Sequence, residues 1–249
     1  NMIMNMKIQQ KFAKKLNLFF NPICNDVGNA VGAALEQCYQ ETGKNPISPH
    51  MSLYLGNSYS DEEVVADSKK FNFKITKVNK VDTAIDLIER GKVIGWFQGR
   101  AEFGARGLGN RSILSLATEQ KYKDVVNEKV KKREAWRPFC PTIIEEKSDE
   151  MLENSTYAPY MILGFDMKNP ELYPAVCHID GTTRPQILKK EVNPDFHKVV
   201  KGVGGIVLNT SFNLAGDPVV ETPYDAFMTL KNSEMDAVII NNFMVEKNK

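Results

Sequence analysis

The sequence has 249 residues, of which 42% are hydrophobic and 25% are charged, and its formal net charge is +1. These values are typical of a globular protein with one large domain or slightly more, and near-neutrality removes any general attraction to nucleic acid or anionic membranes. No apolar run reaches the ~20 residues of a membrane span, and residues 1–7 lack the order of a signal peptide, so we expect a cytoplasmic protein.

Cysteine and histidine usage argues against metal or disulfide chemistry within this chain. The four cysteines are widely spaced without a C-x-x-C pattern, which disfavours a structural zinc site and a disulfide framework. We expect free, buried thiols in a reducing compartment. The three histidines form no H-x-x-x-H pattern, which disfavours a multi-histidine metal site.

The N-terminal part of the chain predicts mainly helix. Residues 9–20 look helical at first and then strand-like. A small-residue helix follows, running to about Gln40 and stopping at Gly43. Asp26 stands just before that helix, where an N-cap role is favoured over a ligand role.

The next segment contains a predicted domain boundary. Residues 44–60 read as a long loop, after which Ser60 opens a short helix with acidic residues in its first turn. Residues 71–75 alternate between apolar and polar, as expected of a half-buried strand. We place the boundary near residues 66–74.

A strand and a glycine-rich loop follow an amphipathic helix over Asp82–Arg90, which Gly91 caps. The strand is Val93–Phe97. The loop after it has glycines at 99, 104, 107 and 109 and arginines at 100, 106 and 111. Glycines let a backbone approach a ligand, and arginines hold phosphate or carboxylate oxygens in pairs, so the loop predicts an anion cradle. A solvated turn is the alternative, since no P-loop motif is present.

The chain then predicts a strand over 112–116 and a charged helix capped by Thr118 and ending at Glu134. Its last turns carry the cations Lys129, Lys131, Lys132 and Arg133. Cations are stabilised at the C-terminal, negative end of the helix dipole. For each of these residues, a position on a solvated helix face is the alternative to a role in binding. Two prolines then hold Arg137 in an extended segment, because each fixes φ.

The C-terminal part predicts strands separated by turns. The apolar runs are Tyr160–Phe165, Ala175–Ile179, Gln186–Leu188, Gly205–Leu208 and Asp236–Ile240. Thr222-Pro223 opens a last helix, and residues 245–249 read as a frayed tail. Some strands follow each other too closely for helical crossovers, which predicts an α/β mixed sheet with helices packed on it.

Four motifs in this order resemble the carbamoyltransferase family of the NodU/CmcH type, which carbamoylates hydroxyls on antibiotics and nodulation factors. They are G-R-x-E-x-G-x-R-x-L-G-x-R-S-I-L (99–114), Asn127 with V-K-x-R-E-x-x-R-P-F-x-P (130–141), H-x-D-G-T-x-R-x-Q (178–186) and N-T-S-F-N (209–213). The match extends over residues 85–240.

The resemblance implies two parts. Residues 71–249 are expected to form a YrdC-like domain, which uses carbamoyl phosphate and ATP with Mg²⁺ to make carbamoyl-adenylate. Residues 1–70 resemble the end of the actin-like transferase domain, where the acid matching Asp26 is an iron ligand beside histidines far upstream. Those histidines are absent here, so the chain resembles a fragment or truncated homologue whose partner is the missing transferase domain.

The resemblance also assigns residues. Arg106, Lys131, Arg137 and Arg184 are expected to hold carbamoyl phosphate and the triphosphate. Ser211 and Asn213 are expected to touch nucleotide phosphates, and the other nucleotide-binding candidates are Gly99, Arg100, Arg111, His178 and Thr210. His178 fits a structural role nearly as well.

Two other functions stay open at this point. One is an RNA-binding module with a basic concave face, and the other is an inactive structural remnant. The near-zero net charge favours the enzyme over the RNA-binding module.

Overall fold

The N-terminal segment is helical in the computed structural model, which describes residues 1–24, 26–44 and 52–248. Helix α1 spans Met2–Phe12, and the strand-like stretch predicted after it is irregular. Helix α2 spans Asp26–Thr42, so Asp26 is its first residue and belongs to its first turn. Position 25, and residues 45–51 of the predicted loop, lie outside the described residues.

One mixed sheet organises the rest of the described chain. Its strands are β1 (Phe73–Lys77), β2 (Ile94–Phe97), β3 (Arg111–Ser115), β4 (Cys140–Ile144), β7 (Gln186–Leu188), β8 (Ile206–Ser211), β9 (Ala237–Ile240) and β10 (Phe243–Lys247). They lie in the order β1-β10-β9-β2-β3-β8-β4-β7, while β5 (Phe165–Asp166) and β6 (Thr182–Thr183) form a separate pair. The β2–β9 and β4–β7 pairs are parallel and the other pairs are antiparallel, so the predicted mixed sheet is confirmed.

Helices cover both faces of the sheet. They are α3 (Asp61–Ser68), α4 (Lys80–Glu89), α5 (Gln120–Val125) continuing as a π-helix (Val126–Lys131), α6 (Glu145–Met151), α7 (Pro194–Gly202) and α8 (Pro223–Lys231), with a 3₁₀ turn at Pro170–Leu172. On one face α4 and α7 pack over Ile94 and Trp96, and on the other α3, α5, α6 and α8 share a core with Phe97. Because both faces are buried, the central strands are almost continuously apolar.

The prediction of a frayed tail is wrong for residues 245–247, and residue 249 lies outside the described residues. Residues 243–247 form β10, which pairs with both β1 and β9. Val245 is fully buried opposite Ile75 and Val238. The local sequence did not indicate this strand, because its partner β1 lies far away in the sequence.

Two of the predicted strands are also wrong. Of Tyr160–Phe165 only Phe165 is in a strand, and Ala175–Ile179 is a turn segment. Ala175 and Val176 are nevertheless buried in the core. These runs are apolar because they are loops whose side chains pack into the core against the sheet.

The charged helix differs at both ends from the prediction. It begins at Gln120, and Glu119, not Thr118, is at the N-cap position. It ends at Lys131, because Lys132 has the left-handed conformation with φ 53°. The four cysteines are free as expected, but Cys140 alone among them is buried.

The described helices include none long and apolar enough to cross a bilayer.

Candidate functional site

The topology gathers the predicted site residues at one end of the sheet. The C-terminal ends of β2 and β8 lie beside the N-terminal ends of β3, β4 and β7. Strand β3 is antiparallel to both β2 and β8, β4 is antiparallel to β8, and β7 runs parallel to β4. The glycine-rich loop connects β2 to β3, Ser211 ends β8, Cys140 begins β4, and Arg184 comes just before β7. Four segments distant in sequence therefore meet at this end of the sheet.

The backbone cradle predicted in the loop is filled by the protein itself. One carboxylate oxygen of Glu102 accepts hydrogen bonds from the backbone N–H groups of Leu108 (2.6 Å), Asn110 (2.7 Å) and Arg111 (3.2 Å). Burial raises the pKa of Glu102, and these backbone donors oppose the rise. Since the amides hold this internal anion, recognition of a ligand anion falls to the side chains of the loop.

Arg111 and Arg100 serve the fold. The Arg111 side chain is fully buried, lies 3.5 Å from the Phe97 ring centroid and donates to backbone carbonyls that include those of Gln98 and Asn57. Burial lowers its pKa to about 10. Arg100 donates to the carbonyls of residues 55 and 56. Both guanidinium groups bind backbone oxygens, so we leave them out of the proposed ligand site.

Arg106 and Arg184 form a cationic pair at the mouth of the loop. Arg106 reaches solvent, but its guanidinium group is partly buried, and this partial burial, followed by the nearby positive charge of Arg184, lowers its pKa. Arg184 donates to the Cys140 sulfur from Nε (3.2 Å) and Nη2 (3.1 Å). Neither guanidinium group has a carboxylate ion-pair partner within the described part of the chain, so both are suited to an added anion.

Lys131 is a buried ammonium group at the end of β8. Its Nζ donates to the backbone oxygen of Ser211 (2.5 Å) and to Oδ1 of Asn213 (2.6 Å). The side chain is 3% exposed. Burial, followed by the charges of Arg133 and Arg137, lowers its pKa to about 7. Lys131 thus joins the Ser211–Asn213 segment to the cations of the 130–141 motif.

Asn127 orders the segment that carries Arg137. Its amide nitrogen donates to the carbonyls of Ala135 (3.0 Å) and Arg137 (2.9 Å), and its oxygen accepts from Nε of Arg133 (2.7 Å). Arg137 is 47% exposed, and its nearest carboxylate is that of Glu134 at 3.9 Å. The segment is therefore fixed while the Arg137 side chain reaches solvent.

Arg106, Lys131, Arg137 and Arg184 lie at the same end of the sheet. Arg106 is in the β2–β3 loop, Lys131 bonds to Ser211 at the end of β8, and Arg137 comes three residues before β4. Arg184 donates to the sulfur of Cys140 at the start of β4. The structure thus brings together the cations of three separate motifs.

The remaining predicted residues lie at the margins of this cluster. Nδ1 of His178 is 3.2 Å from the Thr182 hydroxyl, its Nε2 is buried without a hydrogen-bond partner among the described residues, and burial lowers its pKa. Thr210 is half-buried opposite Ile113 in the β3–β8 ladder. Gly99 has φ 46°, and its carbonyl oxygen accepts a hydrogen bond from the Arg111 guanidinium.

The sequence interpretation missed the polar groups below the loop. Asn209 donates to the carbonyl of Gly107 (3.1 Å) and to the Thr142 hydroxyl (2.9 Å), while Gln186 donates to the carbonyl of Leu108 (2.8 Å). Both amides are buried. The signal was polar residues inside apolar strands, which in a buried setting must be hydrogen-bonded.

The implied iron site lacks support from the described residues. Asp26 is exposed at the start of α2, and the described part of the chain contains no group of three histidine, cysteine or acidic side chains placed to hold a metal ion. We derive no chemical step through iron.

A separate cavity of about 670 Å³ lies between the N-terminal segment and the sheet domain. Aromatic side chains line it, among them Phe19, Phe20, Tyr54, Tyr157 and Tyr160. It meets the loop at Leu108, and the four predicted cations do not line it.

Comparison with known proteins identifies relatives in carbamoyl transfer. Residues 85–247 match the family model described as carbamoyltransferase C-terminus. The nodulation protein NolO of Bradyrhizobium diazoefficiens is 33% identical over 93% of this chain and 45% of its own length. The 3'-hydroxymethylcephem-O-carbamoyltransferase of Streptomyces clavuligerus is 30% identical over 91% of this chain and 43% of its own length. The chain thus spans less than half of these relatives.

A solved structure shares the fold. Full-length HypF, in its phosphate- and nucleotide-bound form, superposes with a TM-score of 0.51 and 15% identity, covering 68% of this chain and 26% of HypF. That likeness confirms the expected YrdC-like sheet. Because the family model matches residues 85–247 and these relatives are 30% and 33% identical over more than 90% of the chain, the chain belongs to the carbamoyltransferase family, and residues 85–247 correspond to its C-terminal domain.

Proposed function

We propose that this chain activates a carbamoyl group by forming carbamoyl-adenylate from carbamoyl phosphate and ATP. The observation that carries the proposal is the convergence of Arg106, Lys131, Arg137 and Arg184 at one end of the sheet. Carbamoyl phosphate and the triphosphate bring many negative oxygens into one cleft, so several fixed cations are needed there. The phosphate- and nucleotide-bound state of HypF, which shares the fold, supports this reading.

The proposed chemistry needs positioning and charge stabilisation, and no covalent protein nucleophile. Water releases phosphate from carbamoyl phosphate to give carbamate. A carbamate oxygen then attacks the α-phosphorus of ATP, the bond to the bridging oxygen breaks, and pyrophosphate leaves. Mg²⁺ bound to the nucleotide phosphates would neutralise part of their charge.

Each part of the cluster has a proposed role. Arg106 and Arg184 hold the phosphate of the carbamoyl donor, because the positive charge of one acts on the other and neither has a carboxylate ion-pair partner among the described residues. Lys131 and Arg137 face the triphosphate, with Ser211 and Asn213 placed by their bonds to the Lys131 ammonium group. The acceptor hydroxyl and its transfer site belong to the proposed actin-like domain, of which residues 1–70 would be the end.

Removing one guanidinium should abolish activation without unfolding the chain. We expect Arg106→Ala and Arg184→Ala to lower carbamoyl-phosphate-dependent pyrophosphate release by ~100-fold or more, the loss typical of a charge-stabilising donor. Circular dichroism and thermal unfolding establish that the variants are folded. The matched control is Arg90→Ala, because Arg90 is exposed on α4 and pairs with Asp86.

Normal pyrophosphate release by either folded variant would contradict the assignment of that arginine. Pyrophosphate release that does not require carbamoyl phosphate would contradict the proposed reaction itself. Salt-sensitive RNA binding in the absence of ATP would instead support the RNA-binding alternative.

A further inference from the structure

Glu102 is a carboxylate in the middle of the glycine-rich loop, four residues before Arg106. One oxygen accepts three backbone hydrogen bonds from Leu108, Asn110 and Arg111, whereas the other, Oε2, is buried without a hydrogen-bond partner in the described structure. A buried carboxylate is costly unless it is compensated by donors or charge. The three amides and the nearby positive charge of Arg111 offset part of that cost, and burial still raises the pKa of the Glu102 carboxyl.

The backbone segment that bonds to Glu102, Leu108–Arg111, follows directly after Arg106 and Gly107. Gly107 is so close to β8 that an added Cβ would lie 3.1 Å from Cα of Ser211 and 2.6 Å from the Arg111 oxygen. Asn209 and Gln186 hold the carbonyls of Gly107 and Leu108 from below. The carbonyls are thus fixed by the sheet, and the amides are fixed by Glu102.

We propose that Glu102 is a positioning residue for Arg106. Its carboxylate occupies the backbone nest that a ligand phosphate fills in other glycine-rich loops, and it thereby sets the loop before any ligand arrives. The backbone is anchored at Gly107 and Leu108, immediately beyond Arg106, so the loop holds the Arg106 guanidinium near the positive charge of Arg184. The kinetic consequence of this inference rests on the proposed function.

The first test measures the loop directly and does not depend on activity. In the full chain, amide hydrogen exchange over residues 104–111 is compared between the wild type and Glu102→Gln. We expect exchange at least ~10-fold faster in the variant, because the loss of the charge weakens three charge-assisted hydrogen bonds. Unchanged exchange in this segment would overturn the proposal.

The matched control is Glu221→Gln. Glu221 also lies near Arg111, but it bonds to Asn57 and Tyr59 and does not touch the loop amides. The Glu221→Gln substitution removes a negative charge near Arg111, as Glu102→Gln does, but it leaves the hydrogen bonds of the loop amides in place. Amide exchange in the loop should therefore stay at the wild-type rate. Faster loop exchange in this control, equal to that of Glu102→Gln, would show a general effect on Arg111 and overturn the role of Glu102.

The second test asks whether Glu102 acts through Arg106. We expect Glu102→Gln to lower kcat/KM for carbamoyl phosphate by ~100-fold, the loss that ~1 Å of misplacement can cause. In an Arg106→Ala background the same change should cost less than ~3-fold, because the group it positions is gone. If Glu102→Gln lowers kcat/KM by the same factor in the Arg106→Ala background as in the wild type, the proposal is overturned.

Two further outcomes are separable. If Glu102→Gln does not fold, Glu102→Asp replaces it, since the shorter carboxylate keeps the charge but cannot reach all three amides; unchanged loop exchange in that variant would overturn the proposal. If the wild-type chain releases no pyrophosphate, the proposed function fails, and loop exchange alone decides the role of Glu102.

Discussion

At the scale of one residue, we expect Lys131 to couple protonation to ligand binding. Burial and the charges of Arg133 and Arg137 lower its pKa to about 7, so its ammonium group loses its proton near neutrality when no ligand is bound. A bound phosphate favours the ammonium form, which raises the pKa again. Above pH 7 the site must therefore take up a proton as it binds, and affinity for ATP should fall as pH rises through 7 and 8.

Calorimetry in buffers of different ionisation enthalpy measures this uptake. We expect close to one proton taken up for each ATP bound at pH 8, and close to none at pH 6. Lys131→Arg keeps its charge over the whole range, so its ATP affinity should be nearly independent of pH there. An uptake in the wild type that equals that of the arginine variant would contradict the role of Lys131.

The sequence alone could not distinguish an arginine that stabilises the loop from one that is available to a ligand. Arg106 and Arg111 have glycine neighbours and the same motif, and both fit an anion site on chemistry alone. Arg111, however, begins β3, and its side chain stacks on Phe97 inside the core. Only the packing separates a guanidinium that bonds to carbonyls from one that is left for a ligand.

Strand β10 provides a prediction at the scale of one element. Val245 is fully buried and its neighbour Glu246 is on the opposite side of the strand. We expect Val245→Ala to lower the free energy of unfolding by ~1–3 kcal/mol through lost burial. Glu246→Ala should change it by less than ~0.5 kcal/mol, as is usual at the surface.

Urea unfolding of both variants measures the difference. If residues 243–247 were a frayed tail, both variants would have wild-type stability. Equal stability of Val245→Ala and wild type would therefore contradict the place of β10 in the sheet.

Elements were predictable from the sequence where local patterns decide them. The helix at Lys80–Glu89 and the strands at Ile94–Phe97 and Gln186–Leu188 follow from amphipathic spacing, a capping glycine and short apolar runs. β10 could not be found this way, because its partners are fixed only when the chain folds. Asn193 followed by Pro194 is a local signal for the start of α7, although no helix was predicted there.

At the scale of the molecule, the site exists only because the sheet assembles distant segments. Lys131 bonds to Ser211, 80 residues away, and Gln186 bonds to Leu108, 78 residues away. With a net charge of +1, the surface as a whole attracts no anion, and the attraction is local to this end of the sheet. The motifs indicated which residues matter, but the convergence of their side chains required the topology.

The most direct measurement is a crystal structure of the chain with carbamoyl phosphate and a non-hydrolysable ATP analogue. We predict phosphate oxygens within hydrogen-bond distance of the Arg106 and Arg184 guanidinium groups and of Lys131 Nζ, at a single site. Ligands bound elsewhere, with these three groups still free of phosphate, would contradict the account.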